Sequence, residues 1–252
     1  MNIRLDLHTH SAASPDGRMS LSELVSAARA AGLNGIAVTD HDATLTDAPS
    51  YDDFLIIPGC EFSTEFGHLL GLFLRCPIEK LSFARTIRAI HEQGGLAVLA
   101  HPFERSRDAS RIAPLAPLLD GAEVWNGRAE RKIRDANALA QAFAEAHNLR
   151  RFAGSDAHLP EEVGNGIVTV DAPSLSPAAV KAALLNRPVE IAGRRGRAVC
   201  VAKSQYTKLK KTGAGPGARL RWLLFAGKCA AEDLRDGRLW EAGGERANTD
   251  MR

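Results

Sequence analysis

The sequence predicts an α/β fold with a mostly parallel sheet, and two observations carry that prediction. Short apolar runs alternate with segments whose apolar residues recur at helical spacing. Nearly every such run also ends in a histidine or a carboxylate: residues 3–7 lead into His8, 36–39 into Asp40 and His41, 54–57 toward Glu61, 96–100 into His101, and 151–154 toward Asp156 and His158. Polar groups gathered just past the carboxyl ends of strands are the usual place for an active site in α/β barrels.

The helices are justified one by one. Ser20 and Glu23 form a capping-box pattern before Leu21, Leu24, Val25 and Ala28, and Gly32 stands where a helix-closing glycine is expected. Phe83, Ile87 and Ile90 mark a second helix, stopped by Gly94 and Gly95. Ile133, Ala136, Ala140 and Phe143 place a third on a charged helix beginning near Gly127, and a fourth starts at Ser176 and Pro177 and runs through Val180 and Leu184. Residues 69–74 read as a further β-like run, and 124–126 as a strand end.

His8, His10, Asp16, His41, Glu61, His68, His101, Asp156 and His158 form a candidate ligand set for a multinuclear metal site. Imidazole and carboxylate bind Zn²⁺, Mn²⁺ and Fe, and a set with several carboxylates and no thiolate suits hydrolysis better than a structural zinc. Residues two apart on an extended segment point to one side, so His8 with His10, and Asp156 with His158, can converge. Asp16 also sits in a good turn sequence, Ser14-Pro15-Asp16-Gly17. His91 and His147 fall among helical apolar residues and read as core or surface histidines.

The ordered series His8-x-His10, Thr39-Asp40-His41, Gly59-x-Glu61, Gly67-His68, Ala100-His101-Pro102 and Gly154-Ser155-Asp156-x-His158 resembles the motifs of the PHP (polymerase and histidinol phosphatase) superfamily over residues 1–193. That resemblance implies a distorted (β/α)7 barrel with the metal cluster at the C-terminal ends of its strands. It implies two or three divalent ions (Zn, Mn or Fe): one held by His8, His10, Glu61 and Asp156, a second by Glu61, His68 and His101, and a third by Asp16, His41 and His158. Asp16 departs from family members that place histidine there. Among its subgroups the chain most resembles small free-standing members that hydrolyse nucleotide phosphates or trim short oligonucleotides. It lacks their helical insertion between the positions of His68 and His101, which implies a more open pocket; histidinol phosphate fits the short length less well.

The expected chemistry is phosphate-ester hydrolysis by a metal-bound hydroxide, on a phosphomonoester, a nucleotide or a short oligonucleotide. Glu61, Asp156, His158 and Asp40 form the expected catalytic set, with Asp40 orienting a ligand through a hydrogen bond from behind. No Gly-x-Ser-x-Gly elbow calls for a covalent intermediate. Arg18, Arg105, Arg107 and Arg128 are candidate phosphate clamps, and the loop 104–110 is the candidate lid. Two alternatives are a nucleic-acid-binding or assembly module with structural metals, and a metallohydrolase of amides or lactones.

Composition agrees with a soluble enzyme. The 252 residues, 45% hydrophobic and 25% charged, suffice for one core of barrel size and no second catalytic domain. The opening residues enter the first strand without an apolar signal region and no apolar run reaches membrane-spanning length, so a cytoplasmic protein without membrane contact is expected; the oligomeric state is left open. Cys60, Cys76, Cys200 and Cys229 are scattered and expected to stay reduced. From residue 194 onward 14 Lys and Arg stand against 6 Asp and Glu, which marks 194–252 as a separate basic extension. Within it a basic stretch 203–211 and a Gly-Pro hinge precede Leu220, Trp222, Leu223, Leu224 and Phe225, expected to form a short helix docked by its apolar face on the barrel. Residues 243–252 are expected to be disordered.

Overall fold

A computed structural model describes residues 1–237. Nine strands form one sheet: β1 (Asn2–Thr9), β2 (Gly35–Val38), β3 (Leu55–Thr64), β4 (Gly67–Leu72), β5 (Leu96–Leu99), β6 (Gly121–Asn126), β7 (Arg150–Gly154), β8 (Gly166–Asp171) and β9 (Val189–Gly193), in the order β7-β6-β5-β4-β3-β2-β1-β8-β9. The helices are α1 (Leu21–Ala30), α2 (Phe83–Glu92), α3 (Ala136–Ala146), α4 (Pro177–Asn186), α5 (Ala198–Lys211) and α6 (Pro216–Arg235).

The sheet is less parallel than expected. The pairs β1–β2, β2–β3, β5–β6 and β6–β7 are parallel, while β3–β4, β4–β5, β1–β8 and β8–β9 are antiparallel. For β3–β4 the cause is local: Glu65 and Phe66 alone join the two strands, too few residues for a crossover, and β4 thereby also runs opposite to β5. Closure of the sheet is shared along one edge of β1. Its first half, Asn2 to Leu5, pairs with β8, whereas its second half receives the chain leaving β7: Asp156 N–H donates to His8 O and His10 N–H to Ala157 O, both at 2.8 Å. Strands β1 to β7 thus curl into a nearly closed, distorted barrel. Gly154 makes this possible, because a Cβ there would lie 2.2 Å from the His8 Cβ.

The apolar runs fill the core. Ile3, Leu5, Leu7, Ile57, Leu70, Leu72 and Val98 pack together, and Leu24, Val25 and Ala28 of α1 cover Ile36 and Val38. Phe83 is fully buried, which contributes about 1.5–3 kcal/mol relative to exposure. Helix α1 has the expected capping box, and Gly32 follows it at φ +69°. Helix α3 begins at Ala136 and not near Gly127: Gly127 N–H donates to Gly154 O, and the chain then makes only a short 3-10 turn at Ala129–Arg131, broken at Glu130 (φ −83°, ψ 24°), before α3 starts.

The extension departs further from expectation. It forms two helices packed on each other, and α6 has 20 residues. Trp222 donates to Ala202 O at 2.8 Å, Phe225 packs on Ala198, Ala202 and Cys229, and Asp233 accepts the first backbone N–H groups of α5 from Ala198 and Val199. Leu220, Leu223 and Leu224 lie on the opposite side and are 62%, 58% and 72% exposed, not docked on the barrel. At 3.6 residues per turn the two groups fall on different faces of one helix. The expectation of disorder at 243–252 lies outside the described residues, among which no helix is long and apolar enough to cross a membrane.

Candidate metal centre

The nine sequence-predicted ligand positions converge at the carboxyl end of the barrel. His8 and His10 close β1 with their Nε2 atoms 3.1 Å apart, His41 follows β2 and bridges to Glu61 on β3, and His68 opens β4. His101 follows β5, and Asp156 and His158 follow β7. Glu61 is the centre. Its Oε1 lies 2.6 Å from His68 Nδ1 and 2.9 Å from His101 Nε2, while its Oε2 lies 2.8, 3.4 and 3.5 Å from His41, His10 and His8. Asp156 Oδ1 stands 3.2 Å from His10 Nε2. Asp16 Oδ1 faces His158 Nε2 at 3.3 Å and His41 Nε2 at 3.6 Å.

Two of these residues sit in the left-handed backbone region, His101 at φ +27° and Asp156 at φ +56°. Such strain persists only where surroundings enforce it. The His101 N–H donates to Glu123 Oε2 at 2.9 Å, and the Asp156 N–H is tied to β1 as above.

Hydrogen bonds behind the rings fix their tautomers. His8 Nδ1 meets Glu123 Oε1 at 3.0 Å, and the acceptor-only carboxylate requires the proton on Nδ1. His158 Nδ1 meets Asp156 O at 2.9 Å, with the same consequence. Ser14 donates to Asp40 Oδ1 at 2.6 Å, so its oxygen is left to accept from the His41 N–H and from His10 Nδ1 at 3.0 Å. In all three rings Nε2 therefore faces the cluster and is the atom left to bind a metal ion once it is deprotonated.

Charge follows the same logic. Burial opposes a charge on His8, but Glu123, Asp156 and Glu61 raise its pKa well above the imidazole range. Burial likewise favours a neutral Glu61, and the surrounding histidines, His8 foremost, hold it well below the carboxylate range. His10 is pushed down to about 3 by burial and by His158, whereas Glu61 raises His101 to about 9 against burial.

Glu123 was not among the expected site residues, although an acid within the buried run of β6 was a visible signal. Ser14 and Asp6 were also missed. Asp6 accepts the backbone N–H groups of Ser155 and Gly164 and so fixes the loop bearing Asp156 and His158. Asp40 does not touch a ligand ring; its carboxylate binds Ser11 and Ser14, and it reaches His10 through the latter.

The arginines divide. Arg128 is buried and spans Glu162 with Nε and Nη2, which commits its fork away from an incoming phosphate. Arg107 is paired with Asp135, and Arg18 is exposed beside Glu23 and Lys203. Arg105 is 71% exposed and lines a cleft of about 500 Å³ shared with His68, His101, Ser106 and Arg111. His91 pairs with Asp120 and His147 packs on Phe143, both apart from the cluster.

Metal ions fit these residues. Asp16 Oδ1, Glu61 Oε2 and His68 Nδ1 are buried and lie close to ring nitrogens or carboxylate oxygens of the cluster, yet none makes a well-aligned hydrogen bond, a costly arrangement that coordination would relieve. Donor atoms of His8, His10 and Asp156, of His8, Glu61 and His101, and of His10, His41 and His158 each lie within 4.8 Å of one another.

Fold and cluster together define an α/β barrel protein with a metal-type centre of histidines and carboxylates. The chain belongs to the PHP domain family, whose profile matches residues 6–149, followed by a PHP-associated segment over 134–189. An uncharacterised protein of Methanocaldococcus jannaschii is 36% identical over 121 residues, 44% of this chain and 50% of that one, so the match spans half the length of this relative. A protein named a probable phosphatase in Shewanella amazonensis is 25% identical over 201 residues, 65% of this chain and 80% of that protein. The fold is similar to that of a two-domain protein from Bacteroides vulgatus containing a predicted PHP-like metal-dependent phosphoesterase, with a TM-score of 0.62 and 20% identity over 82% of this chain and 70% of the other.

Proposed function

We propose that this chain is a metal-dependent hydrolase of phosphate esters, acting on a phosphorylated small molecule, a nucleotide or a short oligonucleotide. The observation that carries the reading is Glu61, whose two oxygens face different histidine groups as a bridging carboxylate requires. One ion would be held by His8, His10, Glu61 and Asp156, a second by Glu61, His68 and His101, and a third by Asp16, His41 and His158, with Zn, Mn or Fe suited to the donors. Bound there, the ions supply Lewis-acid activation of water and neutralise phosphoryl charge. The residues of the chain do the rest. Glu123 and the Asp40–Ser14 pair keep the Nε2 atoms of His8 and His10 aimed inward, and Asp6 holds Asp156 and His158 in register. Arg105, on the loop beside His101, keeps a long 3.4 Å contact with the neighbouring Glu104 and lines the cleft where a phosphate would enter.

The phosphatase name of the Shewanella relative supports this substrate class. Two lysines of the basic stretch are engaged within the protein, Lys203 with Glu161 and Lys211 with backbone carbonyls, which weakens the nucleic-acid-module alternative. The free thiols of Cys60, Cys76, Cys200 and Cys229 accord with a reducing compartment such as the cytoplasm. The test is phosphate release from a panel of phosphomonoesters and nucleotides with Mn²⁺ or Zn²⁺, repeated after chelation. Release that chelation abolishes is expected. Turnover of a lactone or amide with no release from any phosphate would overturn the reading.

A further inference from the structure

We infer that helix α5 is a strut for the loop carrying Asp16, with Lys211 as its positioning residue. This inference rests on the reading of Asp16, His41 and His158 as one metal-holding set.

Lys211 is the last residue of α5, and its Nζ donates to Ala12 O at 2.7 Å, Ser14 O at 2.8 Å and Gly17 O at 3.0 Å. An ammonium has three donors, so all are spent on this one loop. Three carbonyls can converge on one point only if the loop curls, and it does: a Cβ on Gly17 would lie 1.8 Å from Ser11 O. Inside that curl sit Ser14, which holds His10 and the His41 backbone, and Asp16, which faces His41 and His158.

The same helix reaches His158 by a second route. Ser204 lies 3.2 Å from Arg128 Nη1, Arg128 spans Glu162, and Glu162 Oε2 accepts the His158 N–H at 3.1 Å. One helix therefore braces both loops that bring Asp16 and His158 together. An untethered lysine at a helix end would be free to stay in water; ordering it costs side-chain entropy, which three charge-assisted hydrogen bonds offset.

Position and charge predict opposite signs when the lysine is removed. A cation near a metal site repels metal ions, so loss of charge alone would tighten the third site, whereas loss of the tether would loosen it. The experiment compares wild type, Lys211→Met and Lys210→Met. Lys210 lies over the Tyr206 ring and its substitution removes the same charge one residue away. Amide exchange across residues 11–19 is measured in chelated protein, and Mn²⁺ binding by calorimetry. In Lys211→Met, faster exchange in that segment and about a tenfold weakening of one ion are expected, with a smaller loss at the ion that shares His10, which Ser14 of this loop aims, and the remaining ion within about twofold. Lys210→Met should match wild type. Unchanged exchange, unchanged or tighter binding, or equal weakening of all ions would overturn the strut. A wild type that binds three ions beside an unaltered Lys211→Met sinks only the strut; one that takes two removes the third set and the strut with it; one that takes none sinks the proposed function as well.

Discussion

Glu123 holds the His8 ring from behind while Glu61 meets it from the cluster side, so two carboxylates far apart in the chain set the direction of one ligand. His8 and His10 announce themselves by spacing, and the ordered series extends the signal to Glu61, His101 and Asp156. Glu123 sits 115 residues from the ring it orients, and nothing local marks it beyond an acid in an apolar run. Arg128 erred the other way: a strand-end arginine looked like a phosphate clamp, but Glu162 claims it. Glu123→Gln keeps an acceptor and loses the charge behind His8, so metal affinity should fall by about 10–100-fold with the fold intact. Unchanged affinity in a metal titration would show that the His8 tautomer is set elsewhere.

At the scale of elements, start and stop signals worked where the local backbone decides. Ser20, Glu23 and Gly32 bounded α1 correctly, and Ser20→Ala should lower stability by about 1 kcal/mol in urea denaturation. The expected start of α3 was too early because the chain after β6 makes a short 3-10 turn at Ala129–Arg131 that breaks at Glu130, and Gly127 is held by Gly154 O of β7, a distant partner with no local mark. The alternating runs could not disclose the antiparallel pairs either, since an apolar strand looks alike in both directions. Gly154→Ala tests the closure of the barrel: it places a methyl group against His8, and a loss of about 1–3 kcal/mol or more is expected, together with weaker metal binding. An unperturbed midpoint would mean that β7 and β1 have room to part.

For the whole molecule, the cluster couples stability to metal and to pH. Without metal, His8, His41 and His101 are raised above the ordinary imidazole value, His101 to about 9. The folded state then holds protons that the unfolded state has released, so stability present below about pH 6.5 is lost as pH rises toward 9. With metal bound the sign reverses, because ions require deprotonated ligands and are displaced as pH falls. Thermal melts across pH 6 to 9, with chelator and with Mn²⁺, should slope in opposite directions; parallel curves would contradict the cluster as a metal site. Free ligand at about 100 times its Kd should add about 2.7 kcal/mol.

The most direct measurement compares wild type with Glu61→Gln for bound metal and for phosphate release on the same substrate panel. Glu61 faces five histidines with two oxygens, and the neutral amide cannot bridge. The account predicts loss of at least one ion and a fall in rate by orders of magnitude in a protein that still folds. Equal metal content and equal turnover in the two proteins would contradict it.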